Sequence, residues 1–140
     1  MNEPMFSTFT FSSYFIEYVV AYLVALLTYV VGIALYCNMT PHSEVKLLRA
    51  GNPAASLALS ATMLALAVPI AAAVHNTHNA LEIAVWGSNA VLFQLAAYFG
   101  ITRVIPEINA AIVDGKVMNT LPLVSIQLSV AILNAAIFAG

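Results

Sequence analysis

Charge is what this 140-residue chain has least of. Only 7% of its residues are Asp, Glu, Lys or Arg, against 62% hydrophobic. A soluble domain carries about 25% charged residues. So thin a supply cannot cover a globular surface. It also excludes disorder, which needs high charge and low hydrophobicity. Four Lys and Arg against six Asp and Glu leave no basic patch, which excludes a nucleic-acid partner. A single cysteine, Cys37, excludes an intrachain disulfide and a Cys-rich metal cage. Set in an apolar run, it reads as a buried, inert thiol. The chain has no Lys or Arg before its first apolar run, where the only charge is Glu3, so that start is no secretory signal. Phe6, Phe9, Phe11 and Tyr14 instead mark residues 1–15 as a segment lying at a bilayer surface. No nucleophile–base pair, phosphate loop or haem motif is visible, and no His stands inside a long apolar run to activate a hydroxyl. No enzyme and no cofactor are expected.

What the chain does have is long apolar runs. A helix needs about 20 mostly apolar residues to cross roughly 30 Å of hydrocarbon. Four runs meet that length: 16–37, 54–74, 81–101 and 117–138. Barrel strands would alternate over segments of about ten residues; nothing here does. The fold class is therefore all-α, a polytopic membrane protein whose residues 16–140 form one four-helix transmembrane domain. All four basic residues fall in two linkers, Lys46 and Arg49 in one, Arg103 and Lys116 in the other. Lys and Arg collect in cytoplasmic loops. Both linkers then face the cytoplasm, and both termini the periplasm of a bacterial inner membrane.

The basic linkers read as short interfacial helices. Thr40-Pro41 offers a start and Gly51 a stop, with Val45 and Leu48 on one side and Lys46 and Arg49 on another. In the later linker Pro106 starts, Asp114-Gly115 ends, and Ile108, Ala111 and Ile112 form the apolar side. Asn52-Pro53 caps and starts the second span. The chain also aligns with itself. A shift of 65 places Glu17 on Glu82 and Pro41 on Pro106; a shift of 64 places Gly51 on Gly115 and Leu57 on Leu121. The expectation is a tandem two-span repeat, about 16–74 and 81–138. An even number of spans gives both halves one orientation, with a pseudo-two-fold axis along the membrane normal.

The run Thr40-Pro41-His42-Ser43-Glu44, then Leu47-Leu48-Arg49-Ala50-Gly51-Asn52-Pro53-Ala54-Ala55, resembles the first-repeat signature of the YjfL-like family of small bacterial inner-membrane proteins. The likeness continues through Pro69, Trp86-Gly87, Gln94-Leu95, Arg103, Pro106, Gly115, Ser129 and Asn134-Ala135-Ala136. It departs at Lys116, where the family often has Asn after Gly. The resemblance implies a four-span inner-membrane protein of no established activity.

Polar residues inside the spans need partners. Tyr29, Gln94 and Gln127 lie near mid-span, and Tyr29 and Gln94 are repeat equivalents. Neutral amides serve as interhelical glue worth about 0.6–2 kcal/mol each. Gln127, Ala131 and Asn134 share one face of the fourth span; Glu82, Asn89, Ala96 and Arg103 recur every seven residues in the third. Both are expected to be internal faces. The first span carries the stripe Tyr18, Tyr22, Tyr29 and Tyr36, and the second is rich in small residues suited to close packing. At the outer end, Glu17 and Glu82 are expected at equal depth as an acidic mouth. His75, His78 and Glu82 form a candidate metal set; interfacial anchors meeting water are the plainer reading. The function expected is a self-associating scaffold or anchor in the lipid bilayer, as a homo-oligomer or with a protein partner. The alternative is an oligomeric cation, proton or small-solute channel.

Overall fold

The computed structural model describes the backbone of residues 3–139 and the side chains of 10–138. Phe6 and Phe9, expected to lie at a surface, fall outside the described side chains. Six helices follow one another: α1 Glu3–Met39, α2 Glu44–Arg49, α3 Pro53–Asn76, α4 Ala80–Val104, α5 Glu107–Val113 and α6 Val117–Ala139. Four contain stretches long and apolar enough to cross a membrane, namely Thr10–Met39, Pro53–Asn76, Ala80–Val104 and Val117–Phe138. Each contains the run expected from sequence. The first helix passes residues 15–16 without a break.

Local chemistry sets the boundaries. Asn52 caps α3, its side-chain oxygen accepting from the Ala55 N–H at 3.0 Å, with Pro53 in the first turn, where no N–H is needed. Asn79 caps α4 through the Leu81 and Glu82 N–H groups. The short helices end alike. Gly51 and Gly115 hold φ of 77° and 73°, a left-handed turn that suits glycine. Each closes its helix with two reversed bonds: Gly51 to Leu48 and Asn52 to Leu47, Gly115 to Ile112 and Lys116 to Ala111. One start differs from expectation. α2 begins at Glu44 behind Ser43, because the Thr40 hydroxyl bonds the Cys37 and His42 carbonyls within a turn instead of capping a helix. Its inward face carries Glu44, which is buried, and Leu47, which meets the core, while Val45 and Leu48 are exposed.

The small-residue helix α3 is central, packing on every other helix. Ala54, Ala55, Ala58, Ala61, Ala65 and Ala73 are buried along it, so neighbouring backbones approach closely. One apolar cluster gathers Tyr36, Leu59, Tyr98, Ile108, Ile112 and Leu123 at the linker end; Cys37 lies half-buried against it rather than enclosed. Another gathers Ala21, Ala25, Ile70, Ile83 and Ala90 toward the opposite end. α1 is peripheral, with 11% of its most apolar window buried. It meets α4 through two glycines. A Cβ on Gly32 would stand 2.8 Å from Val91 Cγ2, and one on Gly87 would stand 2.7 Å from Thr28 Cγ2. At the end away from the short helices Asn76 donates to the Phe138 carbonyl, and Trp86 meets the Phe138 ring edge-on.

The order span, short helix, span occurs twice. The packing follows that order in part: α3 lies on α1 and α2 as α6 lies on α4 and α5. But α3 also packs on α4 and α5, and α6 makes no comparable contact with α1 or α2.

Candidate functional site

Polar groups occupy three depths. In mid-bundle, Thr62 donates its hydroxyl to the Ala58 carbonyl and accepts from Gln127 Nε2, each at 2.9 Å, and both side chains are buried. Gln94 is buried beside them. In the amide orientation that satisfies both its ends, it donates to the Gln127 carbonyl at 3.3 Å and accepts from the Ala131 N–H at 3.2 Å. Two amides expected near mid-span are thus brought together on α6. Asn134 is buried on that same α6 face, its amide nitrogen without a partner. Tyr29 takes no part in this network; half-buried, it lines an apolar groove of about 320 Å³ between α1 and α3 with Tyr22. The tyrosine stripe is graded, exposed at Tyr18 and Tyr22 and enclosed at Tyr36.

The expected inner stripe of α4 faces outward. Glu82, Ala96 and Arg103 are exposed and Asn89 is only half-buried, whereas Ile83, Gly87, Ala90, Val91, Gln94 and Tyr98 are buried. The reason is steric. Gly87 and Gln94 claim the contact side, so residues two positions further round the helix must turn away. Asn89 lies with Trp86, Ser88 and Leu92 along an open depression of about 600 Å³.

At the end away from the short helices Glu17, His78 and Asn79 line one groove of about 490 Å³, which Glu82 does not line. His75, His78 and Glu82 are exposed. Among the described residues no three His, Cys, Asp or Glu side chains are placed to hold a metal.

The linker end holds a cluster that the sequence reading passed over. Glu44, with no side-chain exposure, sits 2.9 Å from His42 Nε2, whose side chain is 6% exposed. Glu44 Oε2, His42 Nδ1 and the Tyr36 hydroxyl have no hydrogen-bond partner. Tyr36 comes near Thr62 without meeting hydrogen-bond geometry, and Glu44 lies within electrostatic reach of Tyr36, Cys37 and Tyr98. Tyr98 meets Tyr36 edge-on at 5.3 Å and donates to Asn109 Oδ1 at 2.7 Å. A signal for this cluster exists in the sequence. The shift of 65 pairs Glu44 with Asn109, so each short helix carries a polar residue in its first three positions. Asn52 ties the same end together, its amide nitrogen donating to the Ile112 and Val113 carbonyls at 2.9 and 3.0 Å.

Four membrane-crossing helices around neutral amides, closed at one end by two short helices, define a small multi-pass membrane protein. The chain belongs to the family described as a Domain of Unknown Function (DUF350), whose model matches residues 9–138. It is 28% identical over 130 residues to the UPF0719 inner membrane protein YjfL of Escherichia coli strain K12, covering 93% of each chain. The protein of the same name from Escherichia coli O157:H7 matches to the same extent. No solved structure matches the chain.

Proposed function

We propose that the protein is a self-associating, non-catalytic subunit of the inner membrane, with the outward face of α4 seated against the same face of a second copy. The observation that carries this is the pairing of Asn89 with Gly100 on that face. Asn89 is half-buried within its span, and a polar side chain facing hydrocarbon is expensive without a partner. Gly100 costs helix stability, about 1 kcal/mol relative to alanine. Yet a Cβ there would meet nothing within 4 Å, unlike one at Gly32 or Gly87. Nothing inside the subunit uses that glycine. Ala96 and Gly100 lie four apart, the spacing at which small residues admit a neighbouring helix.

Two copies inserted in one direction pair about an axis along the membrane normal. Asn89 then meets Asn89, and an amide both donates and accepts. In this reading the linker end, with Lys46, Arg49, Arg103 and Lys116, faces the cytoplasm; both termini are periplasmic. An acidic-mouthed channel is the weaker reading, because Glu82 does not line the groove that holds Glu17.

The test is disulfide cross-linking of Ala96→Cys in a Cys37→Ser background, in native membranes. The expected result is a dimer that Asn89→Leu weakens about three- to eighteenfold, as expected for loss of an interhelical amide bond. A chain that stays monomeric, or that cross-links through Leu27→Cys on α1 and not through position 96, overturns the proposal.

A further inference from the structure

α1 runs past the end of its own bundle. Ile16, Glu17 and Val20 stand level with the α3–α4 turn, lining one groove with His78, Asn79 and Ala80. Residues 3–15 continue beyond that turn as about 20 Å of unbroken helix. Hydrocarbon does not reach them. α3 alone is about 36 Å long, already more than the roughly 30 Å of a bilayer core. The bundle cannot sink to cover them, because exposed Lys46, Arg49, Glu107 and Asp114 hold its other end in water.

The projecting segment has two sides. Successive residues turn by about 100°, which gathers Phe11, Tyr14, Phe15 and Tyr18 on one face and leaves Thr10, Ser12, Ser13 and Glu17 to the rest. Phe11 and Phe15 stack at 6.4 Å, and Phe11, Phe15, Tyr18 and Tyr22 are 56–71% exposed. A helix meeting lipid all round is apolar all round; a single apolar face belongs to a helix covered on one side. The stripe also repeats. Phe11 recurs as Tyr22, Phe15 as Leu26 and Tyr18 as Tyr29, each eleven residues on. Eleven residues make about three whole turns, so the stripe stays on one face. Tyr22, Leu26 and Tyr29 line the apolar groove between α1 and α3. One apolar face therefore runs from that groove inside the membrane to the aromatic rings outside it.

We infer that this stripe binds the same stripe of a second copy, α1 against α1, as a parallel zipper that continues past the membrane. The inference rests on the self-association proposed above and adds a second contact to it. The occupant must be a helix that crosses the membrane beside α3 and projects about 20 Å on the same side. Among the described residues only α1 has that length. A second copy inserted in the same direction presents it at the same height, ring opposite ring, and aromatic pairs add to plain burial. This neighbour is not the one seated on α4. Asn89 lies two residues past Gly87, about 200° round the helix, and Gly87 is what meets α1. The α4 face thus points away from α1, while the α1 stripe lies beside α3. Two such two-fold contacts with parallel axes do not close, so copies line up in a row.

The experiment is disulfide cross-linking of the full chain in native membranes, in the Cys37→Ser background. Phe11→Cys should give a dimer; Ser13→Cys, about 200° round from it, should not. Both positions lie beyond the bundle, so neither change disturbs its packing. Phe15→Leu keeps an apolar side chain but loses the ring, and should weaken the Phe11→Cys dimer about two- to twelvefold. Phe11→Cys combined with Ala96→Cys should give a ladder of species beyond the dimer. A dimer through position 96 with none through position 11 overturns this inference and leaves the α4 contact standing. No dimer through either position sinks the self-association on which both rest. Equal cross-linking at positions 11 and 13 reports collision rather than a face and overturns it, as does a double variant that stops at the dimer. A Phe11→Cys adduct with a different protein, in place of the dimer, overturns it in favour of that partner.

Discussion

Gln127 and Thr62 carry the polar interior between them. Thr62 can satisfy its hydroxyl within its own helix, on the Ala58 carbonyl; Gln127 has no such outlet and depends on Thr62 Oγ1. The two substitutions are therefore unequal. Thr62→Val should leave the Gln127 amide buried without its acceptor, at about 1–3 kcal/mol, while Gln127→Leu leaves a threonine already bonded. We expect Gln127→Leu to be the milder change and the pair to be non-additive, with a coupling of about 0.6–1.7 kcal/mol in detergent unfolding. Strict additivity of the two would show that the bond is not made. Gln94 and Gln127 were legible in the sequence, because an amide inside an apolar run has one physical reading: it needs a partner. Thr62 was not, since a helical threonine commonly bonds its own backbone. Glu44 was hidden for a different reason. An acidic residue among Lys46 and Arg49 reads as solvated, and only its register on a six-residue helix turns it inward.

Among the elements, α1 and α4 meet where each offers the other a glycine. Thr28 is held by its bond to the Val24 carbonyl at 2.8 Å, and β-branched side chains are stiff in helices. Its methyl cannot easily retreat from a new Cβ at Gly87, 2.7 Å away. Gly87→Ala should therefore destabilise the bundle by about 1–3 kcal/mol through overpacking, offset in part by alanine's better helix propensity. Adding Thr28→Ser, which deletes that methyl, should restore stability. A Gly87→Ala variant as stable as the parent would refute this account of the crossing. Span existence was legible in the sequence because length and hydropathy alone decide it. Span orientation was legible for α6, where Gln127, Ala131 and Asn134 agree on one face. It failed for α4, where two polar stripes compete: the seven-residue stripe through Asn89 and the face carrying Gln94. Spacing cannot choose between them; the glycine contact at Gly87 does.

For the whole molecule, one orientation follows from putting all four basic side chains at the end closed by α2 and α5. Lys46→Cys should be labelled only after the cytoplasmic side is opened, and His78→Cys from the periplasm of intact cells, both in a Cys37→Ser background. Labelling of position 78 from the cytoplasm alone would reverse the assignment. At 37 residues, α1 is about 55 Å long, well beyond the roughly 30 Å of hydrocarbon. Its first turns therefore lie outside the core in any orientation that keeps Tyr36 enclosed. The contacts of α6 also bear on biogenesis. A chain made from its N-terminus delivers α3 before α4 and α6, with Thr62 already content on its own backbone. Gln94 comes next and waits. α6, which follows both in the chain, supplies the carbonyl and N–H that Gln94 needs, brings Gln127 to Thr62, and places the Phe138 carbonyl on Asn76. Until it arrives, three spans share the bilayer with an amide unsettled. Translation stalled before residue 117 leaves Gln94 in the bilayer without the two backbone partners that it has on α6.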